Sequence, residues 1–341
     1  MASPTTVGED DEQVLVLGAT GGIGGEVARQ LSAAGWEVCA LTRDVDKARR
    51  QNPALTWLKG DALDRAAVIA AARGCAVIVH GVNPPGYRHW AEQVLPMIDN
   101  SIAAAIAEGA TIVLPGTVYN FGPDAFPVLH EDSPQHPQTR KGAIRVQLEQ
   151  RLREASQQGA RVLIVRAGDF FGTRLANNWF AQGLVKPGKP VRRVSYPGAP
   201  GVAHQWAYLP DVARTVLELI ERRATLDAFA CFHMAGHVDT DGTQMTQAIQ
   251  RVVLRRTGQQ PQVGAFPWWL LTLAMPFVVT VREMQEMRYL WHTPLRLDNQ
   301  RLLATLGHEP HTPLEQAVEA TLEGLGCLPT PAWSGAHTPQ G

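Results

Sequence analysis

The chain has 341 residues, of which 45% are hydrophobic, and its 31 basic and 32 acidic side chains give a net charge of −1. This length allows one α/β core with a smaller appended unit, and the balanced charge excludes binding to nucleic acid or an anionic membrane through net charge. The four cysteines, Cys39, Cys75, Cys231 and Cys327, form no Cys-x-x-Cys pair. Unpaired thiols of this kind are typical of the reducing cytoplasm, where we expect this protein.

Both ends of the chain are predicted to lie outside the folded part. Residues 1–12 are polar and acidic and lack the apolar core of a secretory signal, which indicates a disordered lead-in. Residues 329–341 are rich in proline, glycine and threonine and are expected to form a flexible tail.

The first predicted strand, over residues 13–17, leads directly into a glycine-rich turn and a helix over 22–34. Glycine lets the backbone turn sharply and approach a pyrophosphate, which the N–H groups at the helix N-terminus bind. An ordinary glycine-rich turn is the alternative, but the strand–turn–helix context favours a dinucleotide-binding site. Its predicted contacts are Gly18, Thr20, Gly21, Gly22, Ile23 and Gly24.

Strands and helices then alternate with short connections. Asp44 and Asp64 stand where helix N-caps belong, and glycines stand where helices should end. Strands that are apolar throughout and alternate with helices predict an α/β fold, a doubly wound parallel sheet of the Rossmann type. The predicted strands are 36–42, 54–59, 76–80, 110–114 and 161–166, and the predicted helices are 44–51, 64–73, 88–108 and 141–158.

This regularity breaks after residue 171. A glycine- and proline-rich stretch follows, a helix over 210–222 and a strand over 229–234 return to the core, and helical periodicity dominates from Thr240. We therefore predict a smaller, mainly helical substrate lobe built from two separated pieces. The predicted dinucleotide-binding domain is 13–171 plus 206–235, and the predicted substrate lobe is 172–205 plus 236–328.

The longest uncharged stretch covers residues 266–280 and contains Pro267 and Pro276. Crossing a bilayer takes roughly 20 apolar residues, more than this stretch supplies. We interpret it as a roof over the substrate cavity, with contact to a membrane surface as the alternative.

Further polar motifs follow the predicted strands. Together with the glycine turn they resemble the extended short-chain dehydrogenase/reductase superfamily, which includes nucleotide-sugar epimerases and dehydratases, over residues 13–325. The resemblance implies that the pyrophosphate lies on the glycine turn, that Asp61 and Ala62 flank the adenine, and that Val82 and Asn83 pass the ribose. The motifs are Gly60-Asp-Ala62, His80-Gly-Val-Asn83, Thr117-Val-Tyr119, Arg166-Ala-Gly-Asp-Phe-Phe-Gly172 and Tyr208-Leu-Pro-Asp-Val-Ala213.

The catalytic pattern departs from this family. Its members use a serine or threonine and a Tyr-x-x-x-Lys motif, which occurs nowhere in this chain. Alignment places Pro115 at the serine, Lys141 at the tyrosine and Arg145 at the lysine, although a two-residue shift would let Thr117 replace the serine. The usual proton relay is therefore absent, which argues against standard epimerase or dehydratase chemistry.

The segment Arg140–Glu149 resembles the atypical branch of NmrA-like and isoflavone-reductase-like proteins. That resemblance implies that Lys141 is the acid/base group, whereas the alternative is a solvated lysine at a helix start, where a cation is slightly unfavourable. Tyr119 is the second candidate, as a proton donor or substrate contact. Its alternative role is packing under the loop that follows it.

The end of the second strand favours NADP over NAD. NAD-binding relatives carry Asp or Glu there, whereas this chain reads Leu41-Thr-Arg43-Asp44. The guanidinium of Arg43 can bind a 2′-phosphate through two charge-assisted hydrogen bonds, and Asp44 is better placed to cap the next helix. The alternative is a solvated Arg43.

The eleven histidines show no metal-ligand spacing, so we predict no metal site. The aromatic and methionine side chains near the C-terminus recur at helical spacing and are expected to be mostly core, with lining of an apolar pocket as the alternative. These are Trp268, Trp269, Met284, Met287, Tyr289 and Trp291.

The sequence therefore predicts an NADPH-dependent, atypical short-chain reductase of a small, fairly apolar carbonyl compound. A relative of nucleotide-sugar epimerases and dehydratases is the first alternative, and a non-catalytic NADP-binding regulator of the NmrA-like kind is the second. The expected partner is a small molecule rather than nucleic acid, with no integral membrane segment and a homodimer left open.

Overall fold

The computed structural model describes residues 13–84, 90–173, 178–269 and 285–329. Seven parallel strands form the central sheet, as the sequence predicted. They are β1 (Gln13–Leu17), β2 (Glu37–Thr42), β3 (Thr56–Lys59), β4 (Val77–His80), β5 (Thr111–Gly116), β7 (Arg161–Arg166) and β11 (Phe229–His233). Their order across the sheet is β11-β7-β5-β4-β1-β2-β3.

Helices cover both faces of this sheet. Side chains of β1 alternate between the two faces, with Val14 and Val16 buried in one core cluster and Leu15 and Leu17 buried in the other. Such burial on both faces explains why the predicted strands read as continuous apolar runs. The covering helices are α1 (Gly22–Ala33), α2 (Val45–Gln51), α3 (Arg65–Ala71), α4 (Trp90–Glu108), α5 (Arg140–Ser156) and α6 (Leu209–Glu221).

The strand order reverses direction between β1 and β4. The chain runs from β1 to β2 and β3 on one side, then returns to place β4 and β5 on the other. In open parallel sheets, ligands bind in the crevice that this reversal leaves at the carboxyl ends of the strands. The fold therefore places the candidate site at the ends of β1, β2, β4 and β5.

The predicted helix caps are confirmed. Asp44 accepts a hydrogen bond from the backbone N–H of Lys47 at 3.0 Å, and Asp64 accepts from those of Ala66 and Ala67. Gly35, Gly74, Gly109 and Gly159 follow α1, α3, α4 and α5 with positive φ angles. Aspartates at the N-caps and glycines after the C-termini thus determine where these helices begin and end.

A third core cluster, outside the two that flank the central sheet, contains Phe171, Phe180, Trp206 and Trp291. Three short sheets accompany the expected helices, and the division into two domains stays a prediction. The strands are β6 (Val128–Leu129), β8 (Asp169–Phe171), β9 (Arg193–Tyr196), β10 (His204–Tyr208), β12 (His237–Asp239), β13 (Gln262–Ala265) and β14 (Arg296–Leu297), and the helices are α7 (Gln244–Thr257), α8 (Gln300–Leu306) and α9 (Leu314–Gly324).

The C-terminal aromatic side chains are not uniformly core. Trp268, Met287 and Trp291 are buried, but the prediction was wrong for Trp269, which is 65% exposed. Residues 270–284, with Met284 and most of the apolar stretch 266–280, lie outside the described residues. In the part of the chain that is described, no helix has both the length and the apolar character needed to cross a membrane.

Candidate dinucleotide and substrate site

At two positions of the glycine turn, the backbone packs so closely that only glycine can be accommodated. Gly18 has φ +87°, and a Cβ on it would lie 2.5 Å from the carbonyl oxygen of Gly81. A Cβ on Gly24 would lie 2.5 Å from the carbonyl oxygen of Gly18. The turn closes through a 2.9 Å hydrogen bond from the N–H of Gly21 to that same oxygen. Only glycine fits where β1, the turn and the loop after β4 meet.

Helix α1 begins at the end of this turn, and no side chain caps its N-terminus. Its N-cap residue is Gly21, and its first turn contains no acidic residue. Thr20 is exposed, and Gly22 and Ile23 are half-buried in the first turn. Backbone N–H groups in the first turn of this twelve-residue helix are thus available to an anion, and the helix dipole favours a negative charge there.

The structure brings together Arg43 and Asp61, two residues that the sequence assigned to the cofactor. They follow β2 and β3, and their Nη1 and Oδ2 atoms are 3.9 Å apart. The Arg43 side chain is 76% exposed. A long, solvated ion pair of this kind holds its members weakly, so Arg43 can turn toward a phosphate.

The other predicted cofactor residues lie at the same edge of the sheet. Ala62 is buried after β3, and its carbonyl oxygen accepts a 2.9 Å hydrogen bond from Asn100. Val82 packs on the core after β4, and Asn83 accepts a 2.7 Å hydrogen bond from the Trp90 indole. These contacts fix the two loops that border the crevice above the glycine turn.

The loop after β5 carries Thr117 and Tyr119. The Thr117 hydroxyl lies 3.3 Å from the side-chain oxygen of Asn120 and accepts a 3.4 Å hydrogen bond from the Tyr119 N–H. The Tyr119 ring is half-buried and packs on a small core cluster that contains Leu290 and Leu295. Its packing role is therefore present in the structure, while its chemical role stays a prediction.

Lys141 lies in the first turn of α5 and is 3% exposed, so the alternative of a solvated lysine is wrong. The first turn of α5 presses against the loop after β5, since a Cβ on Gly142 would lie 2.3 Å from the Tyr119 carbonyl oxygen. The Lys141 backbone N–H donates to Glu286 at 3.3 Å. The fold thus places this turn beside Tyr119 and the segment that leads to Leu290.

A small cavity of about 20 Å³, partly open to solvent, adjoins the loop after β5. The Gln205 side-chain amide already makes hydrogen bonds within the protein. It donates to the carbonyl of Met234 and accepts from the N–H of Leu297. The polar groups left to a ligand are Asp169 and His204. The described lining consists of Val118, Gly168, Asp169, Ala203, His204, Gln205, Leu290 and Leu295.

Asp169 and His204 form a fixed pair at this cavity. His204 Nε2 lies 2.9 Å from Asp169 Oδ2 across the neighbouring strands β8 and β10. The imidazole stacks on the Trp291 ring with a centroid distance of 3.7 Å and an interplanar angle of 8°. The pair gives an otherwise apolar cavity a carboxylate and an oriented imidazole.

Three comparisons show which known proteins this chain resembles. A family model described as the NAD dependent epimerase/dehydratase family matches residues 14–237, well over half of the chain. The chain belongs to this family. The matched range begins in β1 and ends at His237. The glycine turn, Lys141, Asp169 and His204 lie within it.

The chain is similar in sequence to a reductase and similar in fold to several epimerases. The 3-diazoavenalumate denitrifying reductase of Streptomyces sp is 33% identical over 134 residues, which cover 36% of this chain and 43% of that relative. A proposed epimerase of Burkholderia cenocepacia J2315 superposes with a TM-score of 0.71 at 21% identity, covering 94% of this chain and 99% of that one. The Thermus thermophilus UDP-glucose 4-epimerase, solved with NAD, has a TM-score of 0.66 at 20% identity over 92% and 98%. The structural matches establish the fold.

One buried polar network of this epimerase/dehydratase family member was not predicted. Arg166, 2% exposed at the end of β7, donates from Nε to Glu149 of α5 at 3.1 Å and from Nη1 to His233 Nε2 at 2.9 Å. Burial alone would lower the pKa of Arg166, but the Glu149 carboxylate raises it above its ordinary value. Gln135 links Glu149 to Asn120, beside Thr117. The network ties α5 to the sheet below the catalytic candidates.

His80 is a second buried polar group that sequence motifs placed but did not explain. It ends β4, lies 2.8 Å from the Ser101 hydroxyl, and is 3% exposed. Burial, with a smaller contribution from the charge of Arg145, lowers the pKa of His80 to about 3. The imidazole is therefore neutral at physiological pH.

This neutrality has a measurable consequence for stability. Because the pKa of His80 is about 3 in the folded state and near 6.5 when unfolded, the unfolded chain binds the extra proton. The associated stability is present above pH 6.5 and is lost as the pH falls toward 3. We expect the free energy of unfolding, from urea titrations between pH 6.5 and 5, to fall less steeply in His80→Gln. Identical slopes in the two proteins would contradict a neutral His80.

Proposed function

We propose that this chain is an NADP-preferring oxidoreductase that reduces a small, fairly apolar carbonyl compound. The observation that carries the proposal is the lining of the cavity beside the loop after β5. Its described walls contain one carboxylate, Asp169, and neither lysine nor arginine. The Asp169 side chain is half-buried, and a partly desolvated carboxylate disfavours a second negative charge beside it. The chemical character of these walls therefore suits a neutral, mostly apolar group better than a nucleotide-sugar pyrophosphate.

The dinucleotide part of the proposal rests on the cradle around Gly18 and Gly24. Any side chain there would collide with backbone, and the uncapped start of α1 offers N–H groups to the pyrophosphate. Arg43 and Asp61 would hold the adenosine end. When bound, NADPH supplies a hydride.

The proton would come from the chain itself. Lys141 is the leading candidate because it is buried in the first turn of α5, which contacts the loop after β5 through Gly142. Lys141 is not among the described residues that line the cavity, so this role requires its ammonium group to reach a carbonyl oxygen from behind that loop. Apolar walls from Val118, Leu290 and Leu295 would exclude water from the reacting carbonyl. The identity of the Streptomyces relative as a reductase supports this reaction class over epimerisation.

A non-catalytic NADP-binding regulator is the second candidate, and the absent Tyr-x-x-x-Lys motif favours it. The two candidates differ in turnover. To separate them, the protein is incubated with NADPH and each member of a panel of apolar aldehydes, ketones and a diazo compound, and oxidation of NADPH is measured by its absorbance. Steady oxidation of NADPH with any member supports the reductase.

We expect the parent protein to bind NADP(H) more tightly than NAD(H), because Arg43 replaces the acid that would repel a 2′-phosphate. In Arg43→Ala the affinity for NADP(H) should fall about 10- to 150-fold, which corresponds to about 1.5–3 kcal/mol for a lost charged hydrogen bond. Affinity for NAD(H) should change little. Isothermal titration calorimetry with both cofactors measures this difference.

Arg49→Ala is the matched control, since it removes the same charge from the exposed surface of α2, away from the end of β2. It should leave both affinities nearly unchanged. Equal affinities of the parent for NADP(H) and NAD(H) would contradict the cofactor preference.

A further inference from the structure

A second cluster of chemically versatile side chains lies outside the dinucleotide and substrate site, where α6, β12 and the loop between α8 and α9 meet. Asp211 is in the first turn of α6, His237 begins β12, and His311 is in the loop. One potential ligand atom from each lies within 4.8 Å of the other two. The two imidazole centroids are 4.4 Å apart.

His237 has an unsatisfied nitrogen in this cluster. The residue is 8% exposed, and its Nε2 is buried without a hydrogen-bond partner among the described residues. A buried polar atom without a partner is unfavourable and rare in native proteins. The unused lone pair or proton therefore points to a ligand.

The carboxylate of Asp211 is held in a fixed orientation. Its Oδ2 accepts the N–H of Thr312 at 2.7 Å, and its Oδ1 accepts the Thr312 hydroxyl at 2.7 Å and the Arg214 guanidinium. Because a carboxylate oxygen has two lone pairs, Oδ2 retains one for a cation. Metal-binding carboxylates are characteristically oriented by such additional hydrogen bonds.

We propose that Asp211, His237 and His311 bind a Zn²⁺ ion. Two imidazole nitrogens and one carboxylate oxygen form a donor set that zinc uses, with the fourth position left to water. The three potential ligand atoms lie within 4.8 Å of one another, whereas bonds of about 2.1 Å in tetrahedral geometry place zinc donors about 3.4 Å apart, so the ligands must move closer together. His311 is exposed, so a small rotation of its side chain closes the site.

The proposed ion would connect three segments that are distant in sequence. It would fasten β12 and the loop before α9 to the start of α6, whose Pro210 carbonyl accepts a hydrogen bond from Gln30 of α1. Spacing within the sequence could not reveal this set, since each ligand comes from a different element. The site is independent of the proposed reductase activity.

Zinc titration of the chelator-treated, dialysed full-length protein tests the proposal. In competition with a chromophoric chelator, the parent should bind one Zn²⁺ per chain. His311→Ala should bind it at least about 10-fold more weakly, because losing a ligand costs no less than losing an outer-shell partner. His311 is exposed, so this variant is expected to fold. His237→Ala should lose binding as well.

His308→Ala is the matched control. His308 is also exposed, lies three residues away and pairs with Glu218 at 3.3 Å, so its removal should leave zinc affinity unchanged. Co²⁺ titration gives a second readout, namely the visible absorption of a low-coordinate site, which His311→Ala should abolish. Sub-stoichiometric zinc in the parent, or equal affinity in the parent and His311→Ala, would overturn the proposal.

Discussion

Replacing Lys141 with alanine is expected to lower NADPH-dependent turnover by about 10²–10⁴-fold, the usual contribution of a positioned acid/base group. Affinity for NADPH should stay nearly unchanged, since the glycine turn and Arg43 lie elsewhere. Steady-state kinetics with a turned-over carbonyl compound, combined with calorimetric titration of NADPH, measures both quantities. Circular dichroism verifies that the variant is folded.

Lys141→Arg separates proton transfer from a purely electrostatic role. Arginine keeps the positive charge but holds its protons too tightly to donate one near neutral pH. We therefore expect Lys141→Arg to remain as slow as Lys141→Ala. Recovery of turnover in the arginine variant would show that the charge alone is needed.

Tyr119→Phe distinguishes the two catalytic candidates. It removes only the hydroxyl and keeps the ring that packs on the cluster with Leu290 and Leu295. If Lys141 is the acid, this variant should retain most of the turnover. Loss of activity in Tyr119→Phe, with activity retained in Lys141→Ala, would contradict the alignment with the atypical reductases.

Replacing Glu149 with alanine is expected to destabilise the folded protein by about 3–5 kcal/mol. Glu149 and Arg166 are 5% and 2% exposed, and the guanidinium also contacts His233. Without the carboxylate, a buried cation would be left without its counter-charge. The free energy of unfolding from urea titration measures the loss.

Glu154→Ala is the matched control, because Glu154 lies on the exposed face of the same helix. Its removal should change the unfolding free energy by no more than about 0.5 kcal/mol. A similarly small effect of Glu149→Ala would show that the buried pair contributes little to stability.

Features fixed by local sequence were predictable. The apolar strands, the caps at Asp44 and Asp64 and the glycine turn at Gly18–Gly24 each depend on a few neighbouring residues, and the structure has them where the sequence placed them. The resemblance to the family was also visible there, and the family model confirms it.

Features that join distant segments were not predictable. The Arg166–Glu149 pair and the Asp169–His204 pair each combine residues from separate elements. The spacing of these residues in the sequence therefore does not predict that they are in contact. The prediction that Trp269 is part of the core was wrong for a different reason. Hydrophobicity shows that a side chain gains from burial, but only the packed fold decides which tryptophan of the Trp268-Trp269 pair is covered.

Transfer of deuterium from labelled NADPH tests most directly whether this protein transfers a hydride to its substrate. The protein is incubated with NADPH deuterated at nicotinamide C4 and with the panel of apolar carbonyl and diazo compounds, and the products are analysed by mass spectrometry. We expect deuterium to appear in the reduced product of at least one compound, and we expect Lys141→Ala to slow its appearance. Tight NADPH binding without deuterium transfer to any compound would contradict the reductase and favour the regulator.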